Sequence, residues 1–143
     1  MRFWDASAIL PLIVKEPGSE LALTWLREDR DLVVWGLTRL ELASAIERRA
    51  REGLLRGPER SAALRRAQRI ADDAHEIVDL AAVRARGVAV LARHALRAVD
   101  AAQLGAALLV ADPDPASLTA VVLDRKLASA AEREGLRVLT WPE

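Results

Sequence analysis

Five short apolar runs alternate with longer segments of helical character, and this alternation constrains the fold more than any other feature. The runs do not alternate strictly between apolar and polar residues, which is typical of strands that are covered on both faces. The sequence therefore predicts an α/β fold, a three-layer sandwich in which helices flank a five-stranded parallel sheet. The strands are expected within residues 1–5, 31–36, 76–80, 118–123 and 136–141.

The segment between the second and third strands has the signals of a helical hairpin. Thr38 is placed to cap a first helix, which Gly53 ends. Pro58 then stands in the first turn of a second helix, where its fixed backbone angle fits.

Length and composition indicate one globular domain, which we expect to span residues 1–143. The chain has no cysteine, which excludes disulfides and thiolate metal sites and favours a reducing compartment. The sequence shows neither a basic leader before an apolar run nor a long uncharged apolar stretch. A cytoplasmic protein is therefore expected.

Basic and acidic residues are equal in number and give a formal net charge of zero at pH 7, which argues against a long basic face for duplex nucleic acid. The charges are nevertheless uneven, because eight arginines lie between Arg48 and Arg69. Arginine suits phosphate recognition, but such a run is also typical of solvated helix faces. The sequence leaves both interpretations open.

Four carboxylates are expected near one edge of the sheet, because sites in open parallel sheets form beyond the carboxyl ends of the strands. Asp5 ends the first strand and Asp124 ends the fourth. Glu41 lies in the first turn of the helix after the second strand, and Asp100 lies near the start of a later helix.

Three of these acids also have an ordinary structural interpretation. Thr38 and Glu41 match the Thr-x-x-Glu pattern of a capping box, in which the glutamate serves its own helix. Asp5 and Asp124 can each cap the helix that follows.

Asp100 is harder to explain structurally, because it lies in an otherwise apolar helical segment, residues 96–111. An unpaired buried charge costs several kcal/mol, so this carboxylate needs a partner. Arg97, one turn earlier, is one candidate, and a cation shared with the other acids is the second. Mg²⁺ takes oxygen ligands and makes bound water more acidic, which is the chemistry of a hydrolytic site.

Other chemistries have weaker support in the sequence. His75 stands among acids and is expected to face solvent, and His94 closes a helix. No Ser-His-Asp arrangement is evident. The glycines occur singly, so a glycine-rich phosphate loop and a nucleotide cofactor are not expected.

Four blocks, in this order, resemble the PIN-domain ribonucleases, especially the VapC-type toxins of toxin-antitoxin pairs: FWDASAILPLIVKEPGS, LTRLELASAI, LRAVDAAQLGAALL and VVLDRKLASAAEREGLRVL. The resemblance covers essentially the whole chain. It implies that one or two Mg²⁺ or Mn²⁺ ions are surrounded by Asp5, Glu41, Asp100 and Asp124. Ser7 matches a supporting hydroxyl of the family, whereas Ala6 and Val122 stand where the family often has hydroxyl residues.

The function implied by the resemblance is metal-dependent hydrolysis of RNA phosphodiester bonds by the toxin of a VapBC-type pair. The implied partners are a single-stranded or looped RNA substrate, a small VapB-like antitoxin and a second copy of the chain. Arg97, Arg125 and the arginines of the hairpin are candidate phosphate contacts, and the sequence does not rank them.

Two other classes of protein remain as alternatives. A signalling receiver domain has paired acids at the first strand end and a lysine after the fifth strand, and this sequence has neither. A non-catalytic binding module would use the four acids only as caps and salt bridges. Cleavage of DNA instead of RNA also stays open at this point.

Overall fold

The computed structural model describes residues 1–142. The strands are β1 (Arg2–Trp4), β2 (Leu32–Trp35), β3 (His75–Ile77), β4 (Thr119–Val121) and β5 (Arg137–Leu139). The helices are α1 (Ala6–Ile13), α2 (Ser19–Glu28), α3 (Thr38–Arg51), α4 (Gly57–Asp73), α5 (Leu80–Arg93), α6 (Ala98–Ala111) and α7 (Arg125–Arg133). Of the helices within residues 1–142, none is both long and apolar enough to cross a membrane.

All five strands run parallel in the order β3-β2-β1-β4-β5, which confirms the predicted α/β class. The chain adds β2 and β3 on one side of β1 and then places β4 and β5 on the other side. The strand order therefore reverses between β1 and β4. In sheets of this kind a crevice opens at the reversal, beyond the carboxyl ends of the strands.

Helices cover both faces of the sheet, so the fold is the predicted three-layer sandwich. Consecutive strand residues point to opposite faces. Phe3 thus packs in a core with α5, α6 and α7, whereas Trp4 packs in a second core with α1 to α4. Because both faces are buried, the three central strands β2, β1 and β4 are apolar at most positions, whereas the edge strands β3 and β5 are more polar and more exposed.

Helices α5 and α6 approach each other closely through glycine. A Cβ atom on Gly105 would lie 2.8 Å from the carbonyl oxygen of Val83 and 3.0 Å from the backbone nitrogen of Gly87. No other residue fits there unless the backbone moves. This packing fixes the position of α6, whose first turn carries Asp100.

Helix α3 begins without the predicted capping box, so that prediction is wrong. Leu37 is the N-cap residue and makes no side-chain cap, while Thr38 is the first helical residue and is fully buried. The Thr38 hydroxyl accepts a hydrogen bond from Gln103 Nε2 at 3.0 Å, and Glu41 accepts one from the same nitrogen. Contact with α6 therefore uses both side chains that were expected to cap α3.

The two aspartates that follow strands do cap helices. Asp5 Oδ2 accepts a hydrogen bond from the backbone nitrogen of Ser7 at 3.0 Å. Asp124 Oδ1 accepts one from the backbone nitrogen of Leu127 at 2.8 Å. The capping interpretation is therefore correct for both residues. Each cap uses only one oxygen of the carboxylate, so capping does not exclude a further role in the neighbouring cleft.

Strand β3 is shifted from the predicted run. It begins at His75 and ends at Ile77, because Asp79 leaves the strand and accepts a hydrogen bond from the backbone nitrogen of Ala82 at the start of α5. A capping aspartate inside an apolar run thus ended the strand early.

Candidate active site

One open cleft of about 450 Å³ contains all four carboxylates that the sequence singles out. It lies beside the carboxyl ends of β1 and β4, where the strand order reverses. Its acidic residues are Asp5, Glu41, Asp100 and Asp124. Acids that are up to 119 positions apart in the sequence are therefore neighbours in the fold.

Asp5 is the most buried acid of the cleft, with only 4% of its surface exposed. It directly follows β1, so the central strand holds its backbone in place. Burial raises the pKa of Asp5 to about 6, and the charges of Asp100 and Asp124 add to the shift, although two hydrogen bonds from Ser7 oppose it. The cleft therefore destabilises the ionised form of this carboxyl group.

Ser7 connects the two loops that carry Asp5 and Asp124. Its hydroxyl donates a hydrogen bond to Asp5 Oδ2. Ser7 Oγ itself accepts hydrogen bonds from the backbone nitrogens of Leu123, at 3.0 Å, and Asp124, at 3.1 Å. The loop after β1 and the loop after β4 are thus held in one fixed relation, and the two carboxylates with them.

Glu41 reaches the cleft from α3 and is held by a buried amide. Gln103 Nε2 donates a hydrogen bond of 2.7 Å to Glu41 Oε1, and Gln103 is only 1% exposed. Burial raises the pKa of Glu41 to about 7, with the charge of Asp5 as the second cause. The neutral amide orients the glutamate without cancelling its charge.

Gln103 is the site residue that sequence reasoning missed. It stands three positions after Asp100 in an apolar helix, so the two side chains lie on neighbouring parts of one helix face. A second polar residue at this spacing was the available signal. The fully buried Thr38 was considered only as a cap, yet it accepts the other hydrogen bond of the same amide nitrogen.

Asp100 and Asp124 lie nearer to solvent. The Asp100 side chain is 17% exposed, and its Oδ2 is 3.5 Å from Nε of Arg97, whose side chain is 85% exposed. Burial raises the pKa of Asp100, while Arg97 opposes the shift. An ion pair with so exposed a partner is weak, so Arg97 compensates the carboxylate only in part. Asp124 is exposed at the start of α7.

Carboxylate oxygens are the ligands that a hard divalent cation such as Mg²⁺ prefers, so the donor set fits such an ion. Within residues 1–142, no three acidic or histidine side chains are close enough together to hold one ion jointly. Mg²⁺ commonly takes one or two carboxylates directly and completes its coordination with water. The desolvated acids, whose pKa values are raised, would gain from the positive charge.

The two histidines lie outside the cleft. His75 is exposed in β3. His94 Nε2 lies 2.7 Å from Glu134 Oε1, and Glu134 also binds Arg93. Neither imidazole therefore lies beside the four carboxylates.

Solved structures with a similar fold cover nearly the whole chain. FitAcB from Neisseria gonorrhoeae has a TM-score of 0.67 and 18% identity, over 97% of this chain and 96% of that one. FitAB bound to an IR36 DNA fragment has a TM-score of 0.66 and 17% identity, over 98% and 94%. PAE2754 from Pyrobaculum aerophilum has a TM-score of 0.62 and 22% identity, over 96% and 87%.

No protein with curated annotation matches the sequence. The family model of the PIN domain, in contrast, matches residues 2–132. This range includes strands β1 to β4 and all four acids of the cleft. The chain belongs to the PIN domain family.

Proposed function

We propose that this protein is a metal-dependent endoribonuclease and the toxin of a VapBC-type toxin-antitoxin pair. The observation that carries the proposal is the presence of Asp5, Glu41, Asp100 and Asp124 in one open cleft at the reversal of the strand order. The raised pKa values of three of these acids support a site that is adapted to a cation.

Asp5, Glu41, Asp100 and Asp124 would hold Mg²⁺ or Mn²⁺ between them, directly or through water. When bound, the cation neutralises charge on the scissile phosphate and makes a water molecule more acidic. Ser7 holds the backbone of Asp124 next to the carboxylate of Asp5. Because Gln103 binds only Oε1 of Glu41, the second oxygen, Oε2, is left to accept a proton from water as the water oxygen bonds to phosphorus. The bond between phosphorus and the 3′ oxygen breaks in that step, and the leaving oxygen takes a proton from solvent.

Two arginines line the mouth of the same cleft, Arg48 from α3 and Arg97 from the start of α6. Each is suited to bind a phosphate oxygen and to hold the backbone of the substrate against the acids. Single-stranded or looped RNA is proposed as substrate, because its backbone can bend into a concave site. DNA is the competing substrate, because the similar FitAB structure is bound to a DNA fragment.

The direct test is cleavage of labelled single-stranded RNA and of DNA with the same base sequence, each in Mg²⁺, in Mn²⁺ and in EDTA. We expect cleavage of the RNA with either metal and none in EDTA. Full activity in the chelator would contradict the metal-dependent mechanism. Faster cleavage of the DNA would contradict the assignment as a ribonuclease.

The alternative is a non-catalytic module in which the acids are only caps and salt bridges. It is favoured by the caps that Asp5 and Asp124 make and by the contact between Arg97 and Asp100. Calorimetric titration with Mn²⁺ separates the two proposals. Unrelated caps bind no metal, whereas the proposed nuclease site does.

A small VapB-like antitoxin is proposed as the protein partner. Leu40 and Val99 line the acidic cleft and are 65% and 49% exposed. An apolar helix can pack on such residues while one of its basic side chains reaches the acids. Coexpression with the product of a neighbouring small gene should yield an inactive complex, and catalytically inactive Asp5→Asn protein should lose toxicity in cells.

A homodimer in the cytoplasm is also proposed, on the resemblance to the VapC-type toxins. Sedimentation at micromolar concentration should give twice the mass of the chain. A monomer under those conditions would contradict the proposed dimer but not the nuclease.

A further inference from the structure

A basic groove lies next to the acidic cleft. It has a volume of about 370 Å³ and is lined by the end of α5, the loop before α6, and α7. Its lining contains four cationic side chains and no acid: Arg93, Arg125, Lys126 and Arg133. We call it the α7 groove.

Three of these four cations are available to an external ligand. Arg93 is already bound to Glu134 by two hydrogen bonds, of 2.7 and 3.0 Å. Arg125, Lys126 and Arg133 are exposed and make no ion pair with any residue of 1–142. The α7 groove therefore has uncompensated positive charge, which favours a polyanion.

The α7 groove and the acidic cleft meet at the start of α7. Asp124 lines the cleft, and the next two residues, Arg125 and Lys126, line the groove. Burial raises the pKa of Asp100, and Lys126 is among the cations whose charge opposes that shift. A ligand that reaches the acids can therefore continue into the groove without leaving the surface.

Three of the eight arginines of the α3–α4 hairpin are bound within the fold. Arg49 binds Glu16 at 2.9 Å, and Arg60 binds Glu47 through two hydrogen bonds. Arg66 donates to the backbone carbonyl oxygen of Ile13. Part of the positive charge that the sequence concentrates in this hairpin thus stabilises the fold.

We propose that the α7 groove binds the backbone phosphates of single-stranded RNA on one side of the scissile bond, through Arg125, Lys126 and Arg133. This inference rests on the nuclease function proposed above. Arg125 and Arg133 are eight residues apart, which is about 12 Å along a helix. The groove thus presents its charges along a line, as in proteins that follow a nucleic-acid backbone.

Ser129 lies between these two arginines, four residues from each, so all three occupy one stripe of α7. Its hydroxyl is suited to donate a hydrogen bond to phosphate. The lining contains no Phe, Tyr or Trp, and its one imidazole, His94, is only 9% exposed and pairs with Glu134. The groove therefore offers little surface on which bases can stack. The groove is accordingly expected to add affinity without base preference.

The test measures how binding depends on salt. Asp5→Asn protein, which should not cleave, is titrated with fluorescein-labelled oligouridylate at several salt concentrations. Each phosphate contact on a single strand contributes about 0.7 to the slope of log Kobs against log salt. The triple variant R125A/K126A/R133A should therefore reduce the slope by about 2.

The matched comparison is R51A/R65A/R69A, a variant that removes three positive charges from the hairpin. These three arginines are also exposed. We expect it to keep nearly the whole slope. An unchanged slope in the α7 triple variant would overturn the proposal, and so would an equal or larger loss in the hairpin variant. Thermal melting of both proteins checks that their folds are intact.

Cleavage by the protein with native Asp5 provides the second measurement. The α7 triple variant should raise KM for long RNA with little change in kcat, because none of the three residues lines the acidic cleft. Cleavage of a dinucleotide, which is too short to reach the groove, should fall much less than cleavage of long RNA. An equal loss on both substrates would overturn the proposal.

The two proposals fail in different ways. If RNA is cleaved but the α7 triple variant binds it with the parent slope, only the groove assignment is wrong. If the protein neither binds nor cleaves RNA, the ribonuclease function is wrong and the groove assignment is wrong with it. Binding of polyglutamate to the groove, with the RNA slope unchanged, would instead indicate an acidic protein partner.

Discussion

The floor and the rim of the acidic cleft contain the same kind of side chain in different environments. The floor consists of Asp5 and Glu41, and the rim of Asp100 and Asp124. Neutral groups hold the floor acids: the hydroxyl of Ser7 and the amide of Gln103. Cationic side chains, Arg97 and Lys126, act on the rim acid Asp100, whereas the charge of Arg97 is only the smallest of the effects on the pKa of Glu41.

The neighbours of the floor acids orient these carboxylates, whereas the cations near the rim offset part of a negative charge. A hydroxyl or an amide fixes the direction of a carboxylate and leaves its negative charge in place, so the floor acids keep their mutual repulsion and their raised pKa values. A neighbouring cation removes part of that cost at the rim. The floor is thus the part of the cleft that has most to gain from a bound cation.

The largest expected effect is the loss of cleavage in Asp5→Asn. The substitution keeps the size of the side chain but removes the charge of the most buried acid, so cleavage should fall by orders of magnitude while the fold stays intact. Asp124→Asn at the exposed rim should lose less. The control is Asp73→Asn, an exposed acid at the end of α4, and the readout is the single-turnover rate on labelled RNA. Equal rates for Asp5→Asn and the parent would refute the proposed role of the floor.

Gln103→Met should produce the next largest effect. Methionine keeps most of the volume but cannot donate to Glu41, and removing the group that orients a metal ligand typically costs about 10- to 100-fold. We expect losses of this size in Mn²⁺ affinity, measured by calorimetry, and in the cleavage rate. Thr38→Val removes the other acceptor of the amide nitrogen and should change both much less. If the two variants behave alike, the amide serves only the packing of α3 against α6.

The third effect is the pH dependence of stability without metal. The pKa values of Asp5 and Glu41 are raised in the folded protein, to about 6 and about 7, from unfolded values near 4. The folded state therefore binds protons more tightly, and the stability from these protons is fully present below pH 4 and lost as pH rises towards 7. For Asp5 the loss is on the order of 1–3 kcal/mol.

Thermal unfolding in EDTA between pH 4 and pH 8 measures this loss. Asp5→Asn should flatten the decline, because asparagine has no proton to lose. A Tm that rises across this interval in the parent would show that the floor acids stabilise the apo protein in their charged form.

The smallest effect is expected at the rim. In EDTA at neutral pH, Asp100→Asn should have a slightly higher Tm than the parent, because burial disfavours the charge and the exposed Arg97 compensates it only partly. Saturating Mn²⁺ should stabilise the parent by mass action, by about 2.7 kcal/mol at 100 times the Kd, and the variant less. A lower Tm of the variant in EDTA, together with no metal effect on the parent, would make Asp100 an ordinary ion-pair residue.

Most of the fold was predictable because its signals are local. Continuous apolar runs such as Leu32–Trp35 are typical of strands covered on both faces, and their alternation with helices predicts the parallel sheet. The end of β3 was predicted less well, because the capping bond of Asp79 competes with strand pairing.

The sequence by itself determined where Asp5 and Asp124 lie, since each follows a strand whose carboxyl end is at the edge of the sheet where sites form. It also marked Asp100 as a carboxylate without a good structural reason. Only the tertiary structure decided the partners of Thr38 and Glu41. Their local pattern is that of a capping box, but Gln103, 62 positions after Glu41, offers both of them a buried donor. Whether Thr38 and Glu41 cap α3 or bind Gln103 depends on the position of α6, which is set by the contact of Gly105 with α5. Contacts between distant segments have no signature in a local sequence pattern.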